Sequence, residues 1–309
     1  MKTQLLGSTP LVSTRLAYGC MRIGGAKGPD DAKRARAAVA CAYEAGYRHF
    51  DNADIYGGGV SEKIFGEVLR EVSGMRQEVL VATKCGIRKK GDPDPDAPCR
   101  YDFSAAYILA SCDASLKRLA VETIDLYYLH RPDFLMDPDE VAGAFDRLRL
   151  QGKVREFGVS NFSPSQVAAL QSRLPMPLAA NQVEIHLGRL DPFHDGTLDQ
   201  CIAEQMTPLA WAPVGRGLYA EGGTVKPDAP DRDRIGTLLA LLDEIAKARR
   251  TTRTAVSLAW LLKHPSGIVP IVGSANPDHI REAAAADDLD LSREEWYRIM
   301  EAARGRQLP

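Results

Sequence analysis

Eight short apolar runs rich in β-branched and aromatic residues recur along the 309-residue chain, and a segment of helical periodicity follows each of them. The runs are "RLAYG" (15–19), "YRHFD" (47–51), "EVLVATK" (78–84), "TIDLYYLH" (123–130), "REFGVSN" (155–161), "LAANQVE" (178–184), "PLAWAP" (208–213) and "IVPIVG" (268–273). Between them, Val141, Ala144, Phe145 and Leu148 fall at i, i+3, i+4 and i+7, and Ala35, Ala38, Val39 and Ala42 repeat that helical face. Asp137-Pro138 and Ser163-Pro164 read as N-caps with proline at the first helical position, while Gly46 and Gly152 sit where C-terminal glycines belong. No linker interrupts the alternation. One (β/α)8 TIM barrel of the α/β class over 1–309 fits it better than an open doubly wound sheet. The leading "MKTQLLGSTPLVST", turning at Gly7 to Pro10, reads as an N-terminal β-hairpin plugging the barrel bottom.

A net charge of −2, with lysine and arginine scattered along the chain, argues against nucleic acid or an anionic membrane as partner. The N-terminus lacks a signal-peptide core and no run approaches ~20 apolar residues, so a cytoplasmic protein is expected. The six cysteines show neither CxxC pairing nor metal spacing and read as free thiols. With only six histidines and no HxH or HExxH motif, a metal-dependent hydrolase is disfavoured and no metal is expected. A small-molecule partner and a monomer or small homo-oligomer remain.

Barrel enzymes act at the C-terminal ends of their strands. Here those ends carry Asp51 with Tyr56 close behind, then Lys84, His130, Ser160-Asn161, Gln182 and Trp211. Singly, each has a bland reading: a solvated lysine, a turn-capping aspartate, a core histidine, a rim tyrosine. Together they converge on one rim and have a chemical use. A phenol of ordinary pKa near 10 protonates a carbonyl oxygen more readily when a nearby ammonium lowers it, and Lys84 is expected to do so for Tyr56. Asp51 would hold Lys84, and His130 would orient the carbonyl. Such a set gives a proton but no hydride, so a redox cofactor is required. Asn161 and Gln182 suit its carboxamide and Trp211 its ring. Asp54 has no evident role and is expected to be solvated.

The stretches "GYRHFDNADIYGGGVSEKIFGEVL", "VATKCG", "IDLYYLHRPD", "GKVREFGVSNF" and "NQVEIH" resemble, in order and across the whole chain, the aldo-keto reductase family of metal-free NAD(P)H-dependent carbonyl reductases. Segments such as "HRPDFLMDPDEVAGAF" and "LAWAPVGRGLY" further resemble its bacterial YdhF-like branch. The resemblance implies Asp51, Tyr56, Lys84 and His130 as catalytic residues. It places the cofactor along Gly19, Cys20, Met21, Ser160, Asn161, Gln182 and Trp211, along Ala212, Val214, Gly215 and Gly217, and along Gly273, Ser274, Asn276 and His279. The family usually has tyrosine where Trp211 stands. Members favouring a 2′-phosphate often carry a basic residue at Gly273, arginine at His279 and asparagine at Ala283. This chain departs at those three positions but keeps Ser274 and Asn276, with Arg281 nearby, and a helix starting near Pro277 would still offer its N-terminus to a phosphate, so NADPH is expected with NADH left open. Met21, Arg22, Tyr56, Ile87, His130 and Phe134, with the long loops after the third and seventh strands, are expected to line the substrate pocket. Arg22 would grip an anionic substrate, whereas Arg131 would pair with nearby carboxylates. A nucleotide-sensing subunit with little turnover is the alternative on the same fold.

Overall fold

The computed structural model describes residues 1–309. Strands β1 (Thr3–Leu5) and β2 (Val12–Thr14) form the antiparallel hairpin. Then follow β3 (Ala17–Gly19), α1 (Pro29–Glu44), β4 (His49–Asp51), α2 (Val60–Glu71), the short α3 (Met75–Glu78) and β5 (Leu80–Cys85). A two-stranded flap, β6 (Ile87–Arg88) with β7 (Arg100–Tyr101), precedes α4 (Ala105–Leu119), β8 (Ile124–Leu129), α5 (Pro138–Leu150), β9 (Val154–Ser160) and α6 (Pro164–Gln171). The chain continues through β10 (Ala180–Glu184), α7 (Thr197–Ala203), β11 (Thr207–Trp211), α8 (Arg232–Arg249), α9 (Arg253–Leu262), β12 (Val269–Val272), α10 (Pro277–Ala284) and α11 (Arg293–Arg304).

Eight of these strands close into a barrel in the order β3-β4-β5-β8-β9-β10-β11-β12, every pair parallel. This is the TIM barrel expected from the alternating runs. Parallel strands packed on both faces need apolar side chains at nearly every position, which is why they read as continuous runs rather than alternations. The helix signals hold too: Asp137 and Ser163 cap α5 and α6 ahead of proline, and the α1 and α5 stripes are buried. Gly46 and Gly152 turn the chain at φ 92° and 69°.

Leu6 and Leu11 of the hairpin pack into the same interior cluster as Ala82, Leu126, Tyr128 and Leu209, so the hairpin does stopper the barrel. Buried Ser13 bonds His49 Nδ1 at 2.8 Å and ties the stopper to β4. Register then sets the upper layer. Asp51 lies opposite Gly19 on one side and Ala82 on the other, and Gln182 opposite Ser160. Lys84, two residues past Ala82, faces the same interior one step higher.

Candidate active site

The C-terminal mouth of the barrel opens into a cavity of about 660 Å³, within the usual range for small-molecule sites. Lys84 lies wholly buried behind Asp51 and Tyr56, which line the cavity. An ammonium has three N–H groups, and Lys84 Nζ has three acceptors: Asp51 Oδ2 at 2.6 Å, the Asn52 carbonyl at 2.7 Å and Tyr56 Oη at 3.3 Å. Asp51 Oδ1 accepts from Gln182 Nε2 at 2.9 Å. Both members of this buried ion pair are thus satisfied, the condition under which buried charges persist.

Tyr56 reaches the floor through a turn of three glycines, Gly57, Gly58 and Gly59, all at positive φ (62°, 66° and 93°). The turn packs backbone to backbone against residues 22–25: a Cβ on Gly57 would stand 2.0 Å from the Gly24 carbonyl oxygen. Only glycine permits that approach.

Burial outweighs the pull of Lys84 and raises the Tyr56 hydroxyl above its ordinary value, with Asp51 adding to the rise. The expected net lowering is therefore reversed, because enclosure penalises the phenolate more than one ammonium favours it. For Lys84, burial alone would lower the ammonium, but Asp51 and Tyr56 more than offset it and the net shift is upward. His130 is driven well below 6.5 by burial, then by Lys84 and Arg131, and is a neutral imidazole. Its ring meets Tyr56 edge-on at 5.7 Å. Its Nδ1 is enclosed without a partner, so the other ring nitrogen is the one left for a ligand.

On the far wall, Asn161 (φ 63°) takes the Trp211 indole N–H on its Oδ1 at 2.9 Å and donates to Ser160 Oγ at 2.8 Å. Gly19, Met21, Arg22, Ile87, Ala212, Val214, Gly217, Gly273, Ser274 and His279 line the cavity as expected. Four residues do not. Cys20 is fully buried behind the wall, its amide bonded to the Asp51 carbonyl and its own carbonyl to Ser61. Gly215 packs against Tyr219, and Asn276 caps α10 by accepting from the Asp278 amide. Phe134 stands 89% exposed beside Tyr101, because the chain after "HRPD" swings outward.

Arg131 corrects its expectation as well: it pairs with no carboxylate and lies over the Trp211 ring at 5.6 Å. Arg22 lines the cavity and makes no ion pair with a carboxylate. Asp54, expected to be solvated, is half-buried, with its Oδ1 enclosed. Sequence reasoning missed Arg216, Glu221, Thr254 and Glu282 in the wall. Of these only Arg216 carried a signal, lying between two glycines in "GRGLY".

Comparison with known proteins places the chain in a family and matches its fold. A family model described as "Aldo/keto reductase family" matches residues 15–304. The 6-dehydroglucose reductase of Novosphingobium aromaticivorans is 39% identical over 98% of this chain and 96% of its own. Oxidoreductase YdhF of Escherichia coli is 40% identical over 84% of each. Among solved structures, the glycerol dehydrogenase of Gluconobacter oxydans superposes with a TM-score of 0.86 at 27% identity, covering 99% of this chain and 97% of that one. An aldo/keto reductase from Klebsiella pneumoniae, in complex with NADP and acetate, gives 0.77 at 25% identity, covering 97% and 94%.

Proposed function

The chain belongs to the aldo/keto reductase family, and on that premise we propose that it reduces an aldehyde or ketone to an alcohol with a nicotinamide cofactor, Tyr56 giving the proton. The observation that carries this is the Lys84 ammonium, held by Asp51 and directed at the Tyr56 hydroxyl.

The cavity suits the cofactor on its own terms. A Cβ added to Gly217 or Gly273 meets nothing within 4 Å, so both glycines border open space. Glu282, in the same wall, has a buried Oε1 without a donor, which the amino group of an adenine would satisfy. Trp211 and Asn161 would hold the nicotinamide end, and Ser274 and His279, beside the start of α10, the phosphate end. When bound, the nicotinamide supplies the hydride. NADPH is the cofactor proposed, with NADH to be compared.

The protein's own groups handle the proton. The raised Tyr56 hydroxyl stays protonated through neutral pH and is ready to give its proton to the carbonyl oxygen. Lys84, 3.3 Å away, stabilises the phenolate left behind. Asp51 keeps the ammonium charged and fixed, and neutral His130 orients the carbonyl by a hydrogen bond. The relatives named 6-dehydroglucose reductase direct the first substrate trials to sugar aldehydes.

The test is NADPH consumption with an activated aromatic aldehyde and a sugar aldehyde, wild type against Tyr56→Phe. Repeated turnover that falls ~10²-fold or more in the variant is expected. Absence of multiple turnover with either nucleotide would refute the assignment and favour a nucleotide sensor.

A further inference from the structure

Asp54 lies two residues before Tyr56, and the chemistry above does not use it. Its amide donates to the Lys84 carbonyl at 3.1 Å, and its Oδ2 accepts from Ser111 Oγ on α4 at 3.0 Å. Oδ1 is enclosed and meets no donor. A carboxylate only accepts hydrogen bonds, so a charged Asp54 leaves one enclosed oxygen unsatisfied, a cost the neutral acid escapes. The same helix carries Tyr107, on whose ring Arg88 rests at 4.7 Å, and Arg88 grips Asp92 and Asp102 in the segment joining β6 to α4. Asp54 therefore joins the Tyr56 turn, the Lys84 strand and the helix that anchors the flap.

We propose, resting on the reading of Tyr56 as proton donor, that Asp54 is a positioning residue: with Ser111 it forms a half-buried clamp that fixes the Tyr56 turn against α4, and the clamp is built for the neutral acid. Ionisation places unsatisfied charge beneath the turn, which only entry of water or a shift of residues 52–56 relieves.

The groups facing Asp54 do not supply the missing charge. Glu62 of α2 is already matched by Arg118 of α4 at 2.6 Å. Tyr107 of α4, Cys85 of β5 and Tyr127 of β8 are neutral, each raised by its own burial. Burial, with Glu62 adding and Ser111, Arg118 and the Ile55 backbone amide opposing, pushes the Asp54 carboxyl up to about 7. The other groups of the site with a resolved shift titrate elsewhere: Tyr56 and Lys84 lie above their ordinary values and His130 far below its own.

The experiment follows kcat and urea unfolding from about pH 5.5 to about pH 9 in wild type, Asp54→Asn and Ser111→Ala. Wild-type kcat is expected to fall about tenfold between about pH 6 and about pH 8, as a single ionisation near 7 requires. Asp54→Asn should be flat over that range. Ser111→Ala, losing a donor that favours the charged form, should move the fall to higher pH. A folded-state value raised above the unfolded one gives stability that is full below about 3.9 and lost as pH climbs through about 7. Asp54→Asn should therefore gain on wild type in urea as pH rises through that window. A fall retained unchanged in Asp54→Asn, or a loss of activity equal at every pH, would overturn the clamp while leaving the reductase reading intact. No turnover by wild type, with the stability gap still opening, would sink the reductase reading and keep the neutral-acid clamp.

Discussion

The close contact between the Tyr56 turn and residues 22–25 supplies a test in which geometry predicts a rate. In Gly57→Ala the new Cβ would lie 2.0 Å from the Gly24 carbonyl oxygen, with Gly24 C and Cα at 2.8 and 3.0 Å. These are backbone atoms and have no rotamer to change, so the turn must retreat by about 1 Å before contact becomes tolerable. The Lys84 to Tyr56 Oη contact of 3.3 Å then opens beyond hydrogen-bond range. A misplacement of that size costs ~10²-fold in rate.

Alanine at a positive φ also costs ~1 kcal/mol of stability whatever its surroundings. Gly58→Ala separates the two effects. Gly58 has nearly the same φ (66°), but its Cβ meets only Lys89 Nζ at 4.0 Å. Both variants should lose ~1 kcal/mol in urea unfolding, whereas only Gly57→Ala should lose ~10²-fold in kcat/KM for an aldehyde, with the Kd for NADPH little changed. A Gly57→Ala enzyme within a few-fold of wild type, or a Gly58→Ala enzyme equally impaired, would refute the reasoning.

Two further outcomes follow from the same geometry. Lys84→Met strands the buried Asp51 carboxylate and should cost ~3–5 kcal/mol in urea unfolding, with Asp51→Asn in the same chain restoring much of that stability but no activity. Trp211→Ala should weaken NADPH binding ~3–10-fold by fluorescence titration, and Trp211→Tyr should hold it near wild type, because stacking rather than the indole N–H is the proposed contribution. Equal weakening by both would assign the effect to the Asn161 bond at 2.9 Å instead.

The parts legible in the sequence were those that repeat or stand out locally. A strand buried on both faces shows as an apolar run, and a polar residue ending such a run is conspicuous because enclosure there is costly without a partner. That logic reached Asp51 and Lys84 in the C-terminal halves of β4 and β5, Gln182 at the middle of β10, and His130 one residue past β8. The parts hidden were azimuth and distant pairing. Whether a loop side chain turns inward depends on neighbours far along the chain: Ser111 lies 57 residues beyond Asp54, so a residue that reads as a solvated turn acid is half-buried with one oxygen enclosed. Cys20 and Phe134 show the same blindness in opposite directions, one tucked behind the wall and the other left in solvent. The direction of the Tyr56 shift was equally out of reach, since it is the difference between an enclosure and an ammonium.

Lys84 shows where sequence reasoning ends and geometry begins. A lysine closing an apolar run is chemically ambiguous. Three acceptors around three N–H groups are not, because they fix the direction of every donor and leave none for solvent. Two of those acceptors, Asp51 and the Asn52 carbonyl, are set by β4 and the first residue beyond it, so they are as rigid as the barrel. The third, Tyr56, rides on the glycine turn and has the longest contact, 3.3 Å. The ammonium is thus anchored on the side of the sheet and adjustable on the side of the proton donor. For this reason variants of the turn should change the rate with little loss of fold, while variants of the Asp51–Lys84 pair change both.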